Sequence, residues 1–312
     1  MEDALRSPDE LYTVHGEPTP TPGGPVLVHA FAGFVDAGSG VRLAAEHVLA
    51  EYRHRLLVTF DADACIDYRA RRPRMSFRMD HFAAVEMPQI AVHEVLDSAG
   101  QPFLLLSGPE PDYQWQAFTQ AVQDLTTRFH VRLAVGLSAI PWPAPHTRPI
   151  GLALHGSDRE LIRGALPVVG DIEVPGHVGA LLEYQLAQGG LTSMGVTAQV
   201  PHYLVQFDYP RAAQALIDGL ARMTGLAFTS AGLHDAAARA DGEVAEQLAG
   251  NEEFTSVLAA LEQQYDQLMP AQAPAETVPA AAVPSADEIA AQVEAFLHGL
   301  SDPDASKEPE SP

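Results

Sequence analysis

Three glycines and an aspartate stand in the stretch FAGFVDAGSG (31–40), between an apolar run and a helical pattern. Glycine-rich loops at such places cradle phosphates, because backbone N–H groups at a helix start face the anion. Here no G-K-[ST] follows, and leucine stands where the dinucleotide fingerprint G-x-G-x-x-G/A has its last small residue. The charge of Asp36 would also oppose a phosphate unless it bound a metal. We therefore favour a strand-to-helix turn, whose helix Asp36 could cap.

A second cluster of charged residues lies in TFDADACIDYRARRPRMSFR (59–78), where three aspartates precede five of the chain's 18 basic residues. The spacing D-x-D-x-x-x-D resembles the start of a calcium loop but lacks the glycine and final glutamate of an EF-hand. The arginines could clamp a carboxylate or a phosphate, because the guanidinium fork suits both. In so acidic a chain, pairing with its own carboxylates or with a neighbouring subunit is favoured, which predicts a structural or interface role.

The remaining nucleophiles and metal-binding side chains form no recognisable catalytic set. The 13 histidines show neither H-E-x-x-H nor H-x-x-E-H spacing, so no metal site is predicted. His146 and His202 each follow a proline at a predicted strand end, where α/β proteins place pockets, although a surface or satisfied histidine is favoured for both. No G-x-S-x-G occurs, and Cys65 lies among aspartates, which argues against an activated thiolate. We predict no cofactor.

The composition narrows the class of protein further. The chain has 41 acidic and 18 basic residues and a net charge of −23, which makes it a poor candidate for binding nucleic acid. A single cysteine excludes an intramolecular disulfide and fits a reducing compartment. No apolar stretch approaches the length of a membrane span. We therefore expect a cytoplasmic protein that binds neither nucleic acid nor membrane.

Strands and helices alternate in the elements that must position these residues. VLVHAF (26–31) and LLVTF (56–60) are typical of buried strands, and the residues between 41 and 52 repeat with helical periodicity. This rhythm continues to about residue 228 and predicts an α/β fold, a three-layer αβα arrangement with a mostly parallel sheet. Residues 74–95 interrupt the rhythm and are predicted as an antiparallel hairpin or a sheet edge.

The same patterns predict the organisation of the whole chain. An α/β domain is followed by a C-terminal helical extension, whose last helix could fold back onto the same chain or onto a neighbouring subunit. The predicted segments are a flexible N-terminal segment or edge (1–25), the α/β domain (26–230), a helical subdomain (231–269), a Pro/Ala linker (270–284), an amphipathic helix (285–300) and a disordered tail (301–312).

Six motifs together resemble the proteasome assembly chaperone 2 family, in its actinobacterial branch. They occur in the family's order and span about residues 26–268. The motifs are GFVDAGSG, FDADACIDYRARRP, LLLSGPEPDYQW, IPWPAPHTRP, VPGHVGALLEYQLAQGGLTSMGVTAQVPHYL and VAEQLAGNEEFTSVLAALEQQYD.

This resemblance implies a fold like that of nucleoside phosphorylases and hydrolases, and a homo-oligomer, with a trimer as one expected form. It also implies proteasome α-subunits as candidate partners, because the better-understood relatives are assembly chaperones for them. The family's conserved positions would fall on Gly33, Phe34, Asp36, Gly38, Asp67, Tyr68, Arg69, Arg72, Pro73, His146, Arg148, Pro175, Gly176, Glu183, Pro201 and His202.

Two functions follow as hypotheses. The leading one is a non-enzymatic assembly protein whose α/β body presents an interaction surface. The alternative is a small-ligand binder, or a hydrolase- or phosphorylase-like enzyme acting on a nucleoside-type substrate. In that alternative, Asp36, Arg69, Arg72 and His146 would converge on a pocket.

Overall fold

A mixed β-sheet forms the centre of the fold. The computed structural model describes residues 7–162, 172–229, 231–248 and 252–268, so the predicted linker (270–284), helix (285–300) and tail (301–312) lie outside the described residues. The strands are β1 (Tyr12–Val14), β2 (Val26–Ala32), β3 (His54–Phe60), β4 (Arg74–Arg78), β5 (His81–Glu86), β6 (Ala91–Leu96), β7 (Pro102–Pro109), β8 (Leu133–Trp142), β9 (Gly151–Gly156) and β10 (Ser193–Pro201).

Eight of these strands pair in the order β1-β3-β6-β7-β2-β8-β10-β9. The four strands β7, β2, β8 and β10 pair in parallel at the centre, and the outer pairings are antiparallel. Five strands therefore point the same way, because β3 runs in the direction of the central four. The central strands are nearly continuous apolar runs, as expected for strands covered on both faces.

The helices lie in chain order between and after these strands. They are α1 (Gly40–Glu51), α2 (Ala62–Cys65), α3 (Trp115–Arg128), α4 (Val178–Gln188), α5 (Pro210–Thr224), α6 (Ala231–Leu248) and α7 (Glu252–Leu268). Proline opens α5, where no backbone N–H is needed, and Gly225 ends it with φ +74°. In the part of the chain that the structure describes, no helix is long and apolar enough to cross a membrane.

Two apolar cores enclose the sheet. One contains the inward side chains of α1 and α5, such as Val41 and Leu216, together with Leu233 of α6. The other joins α3 and α4 to the opposite face of the sheet, with Phe118 and Leu182 fully buried. The predicted three-layer αβα fold with a mostly parallel sheet and C-terminal helices is therefore confirmed.

Two regions flank this sandwich. Residues 12–14 form an edge strand antiparallel to β3, so part of the N-terminal segment belongs to the sheet. Within residues 74–95, β4 and β5 form a separate two-stranded antiparallel hairpin and β6 joins the main sheet. The boundaries of the predicted domains stay a prediction.

Candidate functional site

The glycine loop joins the end of β2 to the start of α1. A single 3₁₀ turn (Ala37–Ser39) precedes the helix, and Gly38 has φ +64°, a conformation that favours glycine. Oδ1 of Asp36 accepts hydrogen bonds from the backbone N–H groups of Val41 (2.7 Å) and Arg42 (3.4 Å). Asp36 thus occupies amides at the helix start that a phosphate would otherwise use.

Burial alters the acidity of this carboxyl group. It raises the pKa of Asp36 to about 6, although the two backbone N–H donors and the guanidinium of Arg42 oppose the rise. Arg42 itself is held by Glu46 and Asp208. Asp36 is therefore a partly buried acid that titrates between pH 5 and 7.

Glu110 ties the glycine loop to the opposite layer. This buried side chain follows β7, and its two carboxylate oxygens accept from the N–H groups of Phe34 and Val178, each at 2.9 Å. Gly33 lies against it, so a side chain there would collide with the Glu110 carboxylate. The ring of Phe34 is 66% exposed. The loop therefore connects the first turns of α1 and α4.

The predicted arginine motif forms a turn that contacts the backbone of Glu110. Arg71 donates to the Glu110 carbonyl and pairs with Asp112, which also accepts from the N–H of Asp67. Asp67 in turn accepts from the N–H of Arg69 at 2.8 Å. The hydroxyl of Tyr68 donates to Asp63, and this bond raises the pKa of Tyr68 to about 12. The side chains of Arg69 and Arg72 are exposed.

His146 and Arg148 lie near the C-terminal helices, and His202 contacts the same tyrosine as His146. His146 is buried against the Tyr203 ring, whose Oη accepts from the His146 N–H at 2.8 Å. Burial lowers the pKa of His146. The His202 ring also contacts the Tyr203 ring edge to face, with ring centroids 5.2 Å apart. Arg148 donates two hydrogen bonds of 2.8 Å to Asp266, which fixes α7 to the loop after β8.

Glu183 belongs to a polar cluster on the α4 side of the sheet. Its Oε2 lies 2.8 Å from Nε2 of His155, and its Oε1 lies 3.8 Å from Nε2 of His29. His29 is 2% exposed, and its Nε2 has no hydrogen-bond partner among the described residues. Two strand glycines leave room for these groups, since a side chain at Gly136 would collide with Glu183 and one at Gly195 with His155.

The contact between His155 and Glu183 shifts the pKa values of both side chains in this cluster. Burial works to raise the pKa of Glu183, but the hydrogen bond from His155 and the neighbouring imidazoles outweigh it and lower that pKa. The same hydrogen bond raises the pKa of His155, whereas burial lowers the pKa of His29 and favours its neutral form. The adjoining cavity has about 10 Å³, which is roughly the room for one water. Among the described residues, no group of three or more ligating side chains could hold a metal ion.

Among the described residues, the largest group of exposed apolar side chains lies on the hairpin of β4 and β5, hereafter the ribbon (residues 74–86). Every residue of its two strands is exposed, and it pairs with no strand of the main sheet. Large apolar side chains nevertheless occupy it. Their exposed fractions are 55% for Met75, 59% for Phe77, 96% for Met79, 66% for Phe82 and 51% for Val85.

A β-bulge gathers four of these side chains, Met75, Phe77, Phe82 and Val85, on one face of the ribbon. Met75 pairs with Val85, and Phe77 pairs with Phe82, after a register shift between Ser76 and Phe77. Directly paired residues share a face, so the bulge returns Phe82 to the face that Val85 occupies. The Phe77 and Phe82 rings touch edge to face, with centroids 5.1 Å apart. The ribbon is therefore amphipathic and has no core of its own.

A groove lies at the base of the ribbon, hereafter the α1 groove. Its volume is about 380 Å³, and it runs between α1, the start of β6 and the end of β7. The strand side chains facing α1 become smaller here, from Phe103 and Leu105 to Ser107 along β7. Its lining includes Ala30, Ala45, Glu46, Leu49, Pro88 and Ala91.

The structure distributes the twelve predicted residues over four places. Gly33, Phe34, Asp36 and Gly38 form the glycine loop, and Asp67, Tyr68, Arg69 and Arg72 form the turn before the ribbon. His146 and Arg148 lie by α7, with His202 near them through Tyr203, and Glu183 lies on the α4 side. Contacts through Glu110 and Arg71 link the first two places.

Sequence reasoning missed His29, Glu110, His155 and the ribbon's amphipathic face. A histidine inside the apolar run VLVHAF was an available indication for His29. The spacing M-x-F in RMSFR indicates that apolar residues alternate along β4. In β5 the bulge places Phe82 and Val85 on one face although they are three residues apart, so simple alternation does not reveal that face.

Comparisons with known proteins agree with this architecture. The profile of the PAC2 family matches residues 30–248. A Mycobacterium tuberculosis protein of unknown function, Rv2714, is 43% identical, with a TM-score of 0.81 over 86% of this chain and 96% of that one. A Corynebacterium glutamicum protein of unknown function is 34% identical, with a TM-score of 0.80 over 84% and 98% of the two chains.

A more distant structure carries a functional name. The Mycobacterium tuberculosis proteasome-assembly chaperone homologue Rv2125 is 24% identical, with a TM-score of 0.69 over 76% of this chain and all of that one. At this identity the likeness shows a common fold. No curated protein sequence matches the chain.

Proposed function

The chain belongs to the PAC2 family, and from this premise we propose that it is a non-enzymatic protein of the cytoplasm that acts through protein–protein contacts, as an assembly chaperone does. The relative named a proteasome-assembly chaperone homologue supports this role, and proteasome α-subunits are its proposed clients. The proposed protein is a homo-oligomer.

The observation that carries the proposal is the ribbon. An isolated two-stranded hairpin is marginally stable in water, and an apolar face without a covering layer favours association. Met75, Phe77, Phe82 and Val85 are each half to two-thirds exposed. Covering such a side chain contributes about 1 kcal/mol or more, so the four together could supply about 4 kcal/mol to an interface.

The contacts of the other candidate residues support this choice over the nucleoside-type enzyme. Asp36 is engaged with the first turn of α1, and His146 is buried against Tyr203. The polar cluster around Glu183 encloses space for about one water, which is far below the 300–1,000 Å³ or so of a small-molecule site. A thermal-shift screen with nucleosides, phosphate and divalent metals tests the alternative, and saturable stabilisation by any of them would favour it.

A pull-down with the host's proteasome α-subunits tests the proposed role. Wild-type protein should enrich the α-subunits over an unrelated protein of equal net charge. The variant Phe77→Ser/Phe82→Ser should lose most of this enrichment. The matched control Tyr184→Ser/Phe207→Ser, which removes two aromatic rings that are 63% and 58% exposed elsewhere, should keep it. No enrichment by the wild type would count against the chaperone role.

A further inference from the structure

The floor of the α1 groove is a row of three small side chains. Ser107 of β7 pairs with Ala91 of β6 on one side and with Ala30 of β2 on the other. Directly paired residues share a face of the sheet, so all three face α1, whose Ala45 also lines the groove. Two residues earlier on this face of β7, Leu105 belongs to the packed core. The groove is therefore a gap in the side-chain packing between α1 and the sheet.

The Ser107 hydroxyl is a polar group that this floor leaves unsatisfied. Ser107 is only 8% exposed, and its hydroxyl has no hydrogen-bond partner among the described residues. Burying a hydroxyl without a partner is unfavourable, and buried polar groups in folded proteins are therefore usually paired. On the floor of an open groove, this hydroxyl is placed to bond a molecule that enters from outside.

The ionisable side chains that line the groove favour an uncharged ligand. Nη1 of Arg42 lies 2.9 Å from Oε2 of Glu46, and Nη2 of Arg42 lies 2.6 Å from Oδ1 of Asp208. Burial lowers the pKa of His93, so this imidazole is neutral near pH 7. The arginine and the glutamate thus satisfy each other, and the groove offers apolar contacts and a hydroxyl rather than a partner for an ion.

We propose that the α1 groove binds an uncharged small molecule of about two fused rings, whose one polar group hydrogen-bonds to Ser107. A closed apolar cavity of about 150 Å³ takes up benzene. The groove has about 380 Å³, which is more than twice that volume and lies within the range of roughly 300–1,000 Å³ for small-molecule sites. A flat ring system also suits a space between a helix and a sheet. This inference goes beyond the proposed function, because it adds a ligand to a protein proposed to act through protein–protein contacts.

Titration with 2-naphthol tests this site. The probe is uncharged at pH 7, has two fused rings and carries one hydroxyl group. Its fluorescence should report saturable uptake of one molecule per chain by the wild-type protein. Ala45→Leu places a larger side chain in the groove and should weaken binding at least about tenfold. The matched control Ala50→Leu makes the same change at an exposed position of the same helix and should leave the affinity unchanged.

The contact with Ser107 has a test of its own. Ser107→Ala should weaken the binding of 2-naphthol about three- to tenfold, which is the effect of losing one hydrogen bond. Naphthalene has the same two rings without the hydroxyl and should bind wild type and Ser107→Ala equally. If Ala45→Leu does not fold, Ala32→Leu takes its place, because Ala32 lines the groove and is only partly buried.

Three results would overturn the proposal. The first is the absence of saturable binding to the wild type at up to about 1 mM probe, and the second is equal affinity of wild type and Ala45→Leu. The third is loss of binding in Phe77→Ser/Phe82→Ser, which would place the probe on the ribbon. If the wild type takes up no probe while Ala45→Leu changes the oligomeric mass, the groove is a contact between copies instead. Capture of α-subunits in the pull-down does not depend on any of these results.

Discussion

The main sheet and the ribbon are built from strands with the same alternation of side chains, but the main sheet is buried and the ribbon is exposed to solvent. In both, side chains alternate between two faces, and apolar residues gather on at least one of them. The main sheet is covered by helices of its own chain, so that Val26 to Phe31 are buried along β2. In the part of the chain that the structure describes, the ribbon has no such layer, and all residues of β4 and β5 are exposed. The difference teaches that burial depends on a covering layer, which the described residues supply for the main sheet and do not supply for the ribbon.

Removing a phenylalanine from each region tests this difference most strongly. Phe118 is fully buried, and its ring contacts those of Phe31 and Phe60 at centroid distances of 5.8 Å and 4.7 Å. Phe118→Ala should lower the free energy of unfolding by about 3–5 kcal/mol, because it leaves a cavity in the core. Phe82→Ala should change it by less than about 0.5 kcal/mol in dilute protein.

Urea unfolding at low protein concentration measures both values. Raising the concentration should reveal a loss for Phe82→Ala that is absent in dilute protein, because association then contributes to stability. Similar losses for the two variants in dilute protein would mean that the ribbon is already covered within its own chain.

Asp36 in the glycine loop provides a second test, with a smaller expected change in stability, and it concerns the buried α/β body. The folded-state pKa of Asp36, about 6, exceeds its ordinary value of 3.8, so the folded chain binds this proton more tightly. Stability from this group therefore rises as the pH falls from 7 to 5, by about 1 kcal/mol. Asp36→Asn keeps an oxygen that can accept from Val41 and should remove this part of the pH dependence.

The measurement is the free energy of unfolding of both proteins at pH 7 and pH 5. The difference between wild type and variant isolates Asp36 from the other titrating groups. A pH dependence identical in the two proteins would show that Asp36 is not a buried, proton-binding cap.

Loosening α7 should give the smallest effect of the three tests. This helix is intermediate between the buried main sheet and the exposed ribbon, because it is only partly covered. This helix is fixed by Arg148, which pairs with Asp266 and Glu262, and by Leu261, which is buried. Solvent-exposed ion pairs contribute little to stability, so Arg148→Ala should speed amide exchange in α7 only severalfold. The control Arg78→Ala, on the ribbon, should leave α7 unchanged. Exchange that is insensitive to Arg148→Ala would mean that apolar contacts alone hold the helix.

Much of the fold could be predicted because its elements are encoded locally. VLVHAF and LLVTF are too apolar to be anything but buried, and proline at the start of α5 marks a helix boundary without tertiary information. Residues 74–95 were recognised as an interruption. The exposure of residues 74–86 within this range was not predictable, since exposure depends on which neighbours fail to cover a strand.

The contacts of the candidate site were harder to predict from the sequence, because they also depend on tertiary packing. Glu110 and Val178 are 68 residues apart in sequence, and the hydrogen bond between them depends on how α4 packs against the sheet. The partners of Glu183 come from β2 and β9, which no spacing rule brings together. Asp36 is different, because the backbone N–H groups that it caps lie within six residues of it, so the sequence alone could predict this contact.

Amide hydrogen exchange across the ribbon, measured as a function of protein concentration, tests the central claim most directly. An uncovered two-stranded hairpin opens readily, whereas a ribbon docked on a second copy is protected. As the concentration rises from about 1 μM to about 100 μM, we predict at least a roughly tenfold slowing across residues 74–86, with no change in α3. Equally fast exchange of the ribbon at every concentration would contradict the proposal that the ribbon is an association surface of a homo-oligomer.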